Sequence, residues 1–362
     1  VTLTYEFVNE EPVKGSAHSK YTANFTPWGL DNEIPIGASI PGTIWVGKPN
    51  VSNGAGASGV GTVCANCWAV PRGIGANFNP ALNNGIGPLA PSVAATLNWA
   101  SFSANAANKG TNEFDPLNGG QAWEVAAQQH NAFVATVDQR LLPGVSLFGT
   151  GFYNNRRINI LTTEDFAQGI TNDIKTFSVP TTNPYYPANA PSNLQVSYDF
   201  AHEYPPNEPA YEISYRWSGG LNLDLPFGWS GQLYYSRSYE KNKYLQHAVN
   251  DNAVSVALGN TVGGITKPAS VPYLNLFCDQ IEFQCNSPAT IGYISAFRYV
   301  GDAVQISERG ARFDGPLFDL PAGQIKMAIG GTYESDSILG FTANNEAAPA
   351  GSPLTEIDDS EP

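Results

Sequence analysis

Residues 211–225 alternate between apolar or aromatic side chains at odd positions and mostly polar side chains at even positions. The odd positions carry Tyr, Ile, Tyr, Trp, Gly, Leu, Leu and Leu, and the even positions carry Glu, Ser, Arg, Ser, Gly, Asn and Asp. A two-residue period places alternate side chains on opposite faces of a β-strand. Because an ordinary strand has only about five or six residues, the pattern predicts an unusually long strand with one apolar and one polar face.

Three short turns separate further segments of this kind. The sequences LLPG, LPFG and LPAG occupy residues 141–144, 225–228 and 320–323, and an alternating segment lies on each side of every turn. One more alternating segment covers residues 1–8. The other ends of these segments open into loops of roughly forty to a hundred residues, far above the usual loop length. The chain is therefore predicted to form about seven long antiparallel strands, with short turns at one end and long loops at the other.

The loops hold almost no periodic pattern over residues 10–118, 165–208 and 242–303. The segment NLQVSYDF is predicted to be extended, and NAVSVALG and SPATIGYISAF are predicted to form short helices. In the second helix, Ser287 and Pro288 suit the N-cap and the first turn. The loops are otherwise expected to be irregular.

Composition agrees with an all-β protein that has long loops. The 362 residues include 36 Gly and 27 Pro, 12% are aromatic, and only 14% are charged, against about a quarter in an average domain. The net charge of −14 and the scattered basic residues argue against nucleic-acid binding, which needs clustered cations. The sequence contains neither a transmembrane helix nor a signal peptide, which fits a cytosolic protein or a piece whose leader lies outside it.

Membrane-crossing strands account for the strand length. Such a strand needs about 9–11 residues within lipid, with apolar and aromatic side chains outside and polar ones toward a wet lumen. We therefore predict that the odd positions face lipid. The predicted lipid-facing residues are Tyr211, Ile213, Tyr215, Trp217, Leu221, Leu223, Leu225, Leu233, Tyr235, Ile325, Met327, Ile329 and Tyr333. The alternative is a large secreted soluble β-protein that binds or cleaves glycans, since alternation also occurs in soluble sheets.

Several segments resemble the barrel region of TonB-dependent outer-membrane receptors, most closely those of sphingomonad-type α-proteobacteria. They are YTANFTPWG, NNRRI, NPYYPANAPSNLQVSYDF, GLNLDLPFGWSGQLYYSRS, PYLNLFCDQIEFQCNSPATIGYI and DGPLFDLPAGQIKMAIGGTYES. The resemblance covers most of residues 1–30 and 120–340 and is weak over residues 40–115.

This resemblance implies a transmembrane β-barrel of about 22 strands with an N-terminal plug, which imports a scarce nutrient such as a siderophore, cobalamin or an oligosaccharide. The expected location is the outer membrane of a Gram-negative bacterium, and the expected partners are membrane lipid, a small nutrient and the TonB complex. The sequence has no TonB box, plug or terminal aromatic residue. We therefore expect residues 1–340 to be part of such a barrel and residues 341–362 to be an acidic flexible tail. A passive porin is the alternative barrel.

The four cysteines form two local pairs, Cys64 with Cys67 and Cys278 with Cys285. The second spacing does not fit a zinc site, and no histidine lies close by. Two loop disulfides in an oxidising compartment fit better.

No catalytic motif stands out, and we expect no enzymatic activity, no cofactor and no metal. GAGASG at residues 54–59 lacks the preceding strand and following helix of a dinucleotide site. The histidines are far apart in the sequence, and the carboxylates at Asp251 and in the tail lack calcium-loop spacing. Some loop aromatics either stack on a ligand or pack against one another under the loops: Trp45, Trp68, Tyr185, Tyr186 and Tyr273.

Overall fold

The computed structural model describes residues 1–20, 22–30, 34, 39–48, 66–78, 98–112, 123–160, 176–203 and 208–352. The strands within these ranges are β1 Thr2–Glu10, β2 Val13–Lys14, β3 Thr43–Val46, β4 Cys67–Ala69, β5 Trp123–Val125, β6 Ala127–Leu142, β7 Val145–Ile160, β8 Thr176–Ser178, β9 Leu194–Ser197, β10 Glu208–Leu225, β11 Trp229–Val249, β12 Ser295–Leu320 and β13 Gly323–Asn344. The α-helices are α1 Trp99–Ala104, α2 Asp251–Leu258 and α3 Pro288–Ile294. None of these helices is both long and apolar enough to span a bilayer.

One large antiparallel sheet dominates the described residues. Its order is β1-β6-β7-β10-β11-β12-β13, and all of its strands except β1 have between 16 and 26 residues. The predicted all-β fold with about seven long strands is confirmed, as are the three short turns, which join Leu142 to Val145, Leu225 to Trp229 and Leu320 to Gly323. The described strands form an open sheet, because β1 and β13 each pair with one neighbour in it.

Each side of this sheet collects residues of one parity. Tyr215 of β10 lies directly opposite Tyr153 of β7 and Tyr239 of β11, and directly opposite residues share a face. The same register places the odd-numbered residues of all seven strands on one side, which we call the odd face, and the even-numbered residues on the other, the even face. Bulges near Arg140 and Pro316 reverse this parity only for the last residues before two of the turns.

The long loops fold together into a compact unit at one end of the sheet, which we call the cap. It consists of residues 39–48, 66–78, 98–112, 176–203 and 250–294 and contains a four-stranded sheet of order β4-β3-β9-β8. Its buried side chains form a continuous core that includes Ile44, Trp68, Trp99, Phe102, Leu194, Val196, Phe200, Leu258, Leu274 and Ile294. Most residues of the cap have irregular secondary structure, as expected, but the sequence did not predict that they pack together. The residues that lack periodicity pack around a core assembled from distant segments.

The predicted short elements of the cap are confirmed. Residues 194–197 are extended, and both predicted helices form. The side chain of Ser287 accepts a hydrogen bond from the backbone N–H of Thr290 at 2.9 Å, and Pro288 occupies the first turn. The N-cap of α2 is Asn250, whose side chain accepts from the backbone N–H of Ala253 at 2.7 Å.

The segment after β13 fastens the cap to the sheet. β13 continues to Asn344, so the chain does not become a tail at residue 341 as predicted. The side chain of Asn250 donates to the carbonyl oxygens of Asn345 and Ala348, at 2.5 and 3.1 Å. The side chain of Asn345 in turn accepts from the backbone N–H of Phe297 at 2.8 Å. Amide side chains thus hold residues 345–348 against the ends of β11 and β12, and residues 353–362 lie outside the described ranges.

Aromatic rings cover glycines of neighbouring strands. Tyr234 lies directly opposite Gly310, where an added Cβ atom would come within 2.5 Å of the tyrosine ring. Phe313 covers Gly231 in the same way, with a separation of 2.8 Å. These pairs let large rings lie flat on the sheet, which offsets the weak strand preference of glycine.

We expect Gly310→Ala to lower the free energy of unfolding by about 1–3 kcal/mol, because the methyl group overlaps the Tyr234 ring within a packed strand. Gly151→Ala is the matched control, since Gly151 also lies inside a long strand and has open space around its Cβ position. The control should be neutral or slightly stabilising. Urea denaturation of both variants measures the difference, and equal effects would contradict the importance of the ring.

Candidate functional site

The odd face carries every residue predicted to face lipid. None of these side chains belongs to the buried core. Ile329 and Tyr333 are 57% and 59% exposed, and Tyr211, Ile213, Trp217, Leu233 and Tyr235 are also exposed. Tyr215, Leu221, Leu223 and Leu225 are half-buried between their neighbours. An exposed apolar surface that continues over several strands marks a contact surface for lipid or protein.

A row of aromatic side chains crosses five strands of the odd face. Its members lie directly opposite one another and are Tyr5, Phe133, Tyr153, Tyr215 and Tyr239. The rings of Tyr215 and Tyr239 stack with their centroids 5.3 Å apart. Sequence reasoning did not find this row, because its members are distant in the chain and only the register brings them together. Aromatic belts of this kind are typical of membrane–water interfaces.

The odd face is mainly apolar between the aromatic row and the short turns, where its described charged residues are Arg237 and Arg309. Leu147, Leu221 and Leu233 lie directly opposite one another there. The distance from Tyr215 to the end of β10 at Leu225 is ten residues, or about 33 Å along a strand. A strand tilted by about 45° would project this length as about 23 Å along a membrane normal.

The even face is polar and carries a series of hydrogen bonds and one ion pair across four strands. Gln128 donates to Glu10 and accepts from Nε of Arg156 at 2.9 Å. Arg156 also lies 3.9 Å from a carboxylate oxygen of Glu212, and Asn154 donates to the other oxygen of that carboxylate at 3.0 Å. Several side chains of this face thus have polar partners within the sheet, and a polar face of this kind is compatible with a water-filled space.

Acidic residues occur on one face alone. Each Asp and Glu of the seven strands whose side chain is described lies on the even face. They are Glu6, Glu10, Asp138, Glu212, Asp224, Glu240, Asp302, Glu308, Asp314, Asp319, Glu334 and Asp336. The sheet therefore separates negative charge from apolar surface along its whole length.

The cap contains a polar pocket of about 360 Å³ beside a disulfide. Residues 280–286 line it together with His202 and Glu203. Oε1 of Glu203 accepts from the hydroxyl of Tyr198 at 2.5 Å and from Nδ2 of Asn286 at 3.3 Å. The other oxygen, Oε2, is buried. This arrangement can accept a hydrogen bond or a positive charge at the pocket wall.

Burial controls the protonation of this carboxyl group. Burial raises the pKa of Glu203 from 4.5 to about 7, although the hydrogen bonds from Tyr198 and Asn286 oppose the rise. Burial also raises the pKa of Tyr198 well above its usual value, with the negative charges of Glu203, Asp199 and Asp279 adding to the effect. Burial and the nearby Arg72 lower the pKa of His202. The pocket therefore changes charge near neutral pH through Glu203.

The disulfide between Cys278 and Cys285 is confirmed, and it closes the loop that lines the pocket. Cys67 is also disulfide-bonded, whereas its predicted partner Cys64 lies outside the described residues. Bonded cysteines provide no thiolates for zinc. Among the described residues, no group of His, Cys, Asp and Glu is arranged to hold a metal ion. The GAGASG segment also lies outside the described residues.

Two loop aromatics proposed as ligand contacts are structural. Trp45 is fully buried, and its Nε1 donates to Oγ of Ser197 at 2.9 Å. Trp68 packs edge-on against Trp99 with centroids 5.0 Å apart. For these two residues the structure shows packing under the loops rather than a surface position for a ligand, because their large side chains fill the core of the cap. Tyr185 and Tyr186 pack partly against the same core.

We expect the stability of the cap to fall as the pH rises from 4.5 to about 7. In this window folded Glu203 keeps its proton, whereas the unfolded chain has released it, so deprotonation favours unfolding and the loss is complete above about pH 7. Glu203→Gln keeps both hydrogen bonds in a neutral form and should stabilise the cap above this window by on the order of 2 kcal/mol.

Urea midpoints measured by tryptophan fluorescence at both ends of the window test this expectation, because Trp45, Trp68 and Trp99 lie in the cap. Glu282→Gln is the control, since this carboxylate lines the same pocket but is exposed. It should keep the pH profile of the unmodified protein. A profile that Glu203→Gln leaves unchanged would contradict the assignment.

No protein-family model, curated protein or solved structure matches this chain, so its function has to be inferred from its own residues and geometry.

Proposed function

We propose that the seven-stranded sheet is part of the wall of an outer-membrane β-barrel, and that the protein takes part in TonB-dependent import of a scarce nutrient. The observation that carries this proposal is that apolar and acidic side chains lie on opposite faces of the sheet, along strands of 16 to 26 residues. One face is apolar and aromatic, and the other holds the acidic residues. A barrel in lipid requires this arrangement, with hydrocarbon outside and water inside.

The dimensions of the odd face support a membrane position. The zone between the aromatic row and the turns, which is apolar apart from Arg237 and Arg309, projects to about 23 Å, close to the apolar band of about 25 Å on outer-membrane barrels. A soluble sheet would instead need a second layer over its apolar side. The described residues leave Trp217, Ile329 and Tyr333 largely exposed, and the cap packs at the end of the strands.

The proposal also has to account for the two edge strands of the sheet, β1 and β13. Edge strands in lipid must have partners, because unpaired backbone N–H and C=O groups are too costly in hydrocarbon. The proposed barrel therefore includes further strands that pair with β1 and β13. A large barrel agrees with the resemblance of the sequence to TonB-dependent receptors.

In this arrangement the cap forms external loops that capture the ligand. Short turns on one side and long loops on the other are the usual organisation of outer-membrane barrels. The cap has its own core and a polar pocket at Glu203, which favours selective capture over free passage through a porin.

Nitroxide labels on β10 test the membrane position. Labels at Leu221 and Leu223 of the odd face, between the aromatic row and the turn, should collide mainly with oxygen, which concentrates in hydrocarbon. Labels at Ser214 and Asn222 of the even face should collide mainly with a water-soluble nickel chelate. Electron paramagnetic resonance in lipid vesicles gives both accessibilities. Equal exposure to the chelate on both faces, in protein that stays folded without detergent, would instead establish a soluble β-protein.

Uptake in cells tests the transport part of the proposal. Cells that express the complete barrel, including the strands that pair with β1 and β13, should accumulate one compound from a panel of ferric chelates, cobalamin and oligosaccharides, and the accumulation should disappear when TonB is deleted. Uptake that survives the deletion would indicate a passive porin.

A further inference from the structure

The described side chains of the odd face include cations but no carboxylates. Its charged residues are Arg157, Arg237, Lys241, Lys243 and Arg309, and no Asp or Glu side chain is described on it. The chain as a whole has a net charge of −14. This face therefore differs in sign from the rest of the molecule, although its surroundings are apolar.

The cations lie in a band next to the aromatic row. Arg157 and Lys243 flank Tyr211 from the two neighbouring strands, on the side of the row nearer the cap. On the side nearer the turns, Arg237 lies opposite Trp217, and Arg309 lies opposite Tyr333. The band therefore follows the level at which the aromatic side chains predict the boundary between hydrocarbon and headgroups.

The contacts described for Arg237 and Arg309 are with neutral groups. Nη2 of Arg237 donates to Oε1 of Gln305 at 2.8 Å. The guanidinium of Arg309 lies over the ring of Tyr333, 4.6 Å from its centroid. Neutral contacts of this kind hold the side chains in place while leaving their positive charge uncompensated, so further N–H groups remain for an anion.

A shallow depression adjoins Arg309. Its volume is about 690 Å³, and its lining on the odd face includes Gly219, Leu221, Leu233, Ala311 and Gly331. Because the glycines have no side chains, the surface is lower at their positions, and the leucines make the depression apolar. All of these residues except Gly219 lie nearer the short turns than Arg309 does. An elongated molecule with one anionic end and one apolar end fits this arrangement.

We infer that this part of the odd face binds a phosphate-bearing membrane lipid, with an acyl chain in the glycine-floored depression and the phosphate at Arg309 and Arg237. The inference rests on the proposed membrane position of the sheet. Cations beside hydrocarbon are costly unless an anion pairs with them. The face supplies no carboxylate, whereas a lipid phosphate accepts several hydrogen bonds from arginine.

Quenching of Trp217 by brominated lipids tests this inference, because Trp217 lies directly opposite Arg237. The protein is placed in vesicles of phosphatidylcholine with a minority of brominated lipid, either phosphatidylglycerol or phosphatidylcholine. The contribution of Trp217 is the difference between the protein and its Trp217→Phe variant. At low salt, phosphatidylglycerol should bind at least about fivefold more tightly, the factor expected for one cation at an anionic surface.

Two matched double variants locate the effect. Arg237→Gln with Arg309→Gln should bring the preference close to one. Arg216→Gln with Arg312→Gln removes the same charge from the even face and should leave the preference unchanged. Added salt should weaken the preference in the unmodified protein.

The outcomes separate this inference from the proposed function. Quenching of Trp217 by both lipids without a preference, or a preference that the even-face variant loses equally, overturns the lipid site and leaves the membrane position intact. An absence of quenching by either lipid overturns both. Self-association that replaces lipid contact would show that a second copy covers the face, which also overturns the inference.

Discussion

The cross-strand register is the constraint on which the sheet depends. Backbone hydrogen bonds fix which residues lie opposite one another, and a slip of one residue would move every side chain of a strand to the other face. With Tyr215 opposite Tyr153 and Tyr239, the aromatic row is continuous, and Glu212 reaches Asn154 and Arg156 on the opposite side. One register therefore satisfies both faces at once. The polar chain and the aromatic row specify the same alignment independently.

The cap is stabilised differently from the sheet. Its segments are short and aperiodic, so each buries little apolar surface alone, and their stability comes from joining distant segments in one core. Ile44, Leu194 and Leu274 come from three separate loops and are all fully buried there. The amide bonds of Asn250 and Asn345 tie this core to the strand ends. The core of the cap is therefore connected directly to the ends of β11, β12 and β13.

The sequence was informative where periodicity is local. The alternation in residues 211–225 predicts β10 and its faces, and the turn sequences predict its partner strands, because both signals lie within a few residues. The helix at Pro288 was similarly recognisable from its N-cap. The short strands β3 and β4, the burial of Trp45 and Trp68, and the role of Glu203 were not predictable. They depend on contacts between residues far apart in the chain, for which the sequence contains no local signal.

The bulges near Arg140 and Pro316 indicate where the strands can gain or lose a residue during evolution. A single inserted residue in the middle of a long strand would expose carboxylates on the apolar side, whereas beside a turn it changes the side of only a few residues. Both irregularities described in the seven-stranded sheet lie beside turns. Insertions and deletions within the strands should therefore involve an even number of residues, which keeps each side chain on its face, or should lie near the short turns. The loops at the other end can change in length by any number of residues.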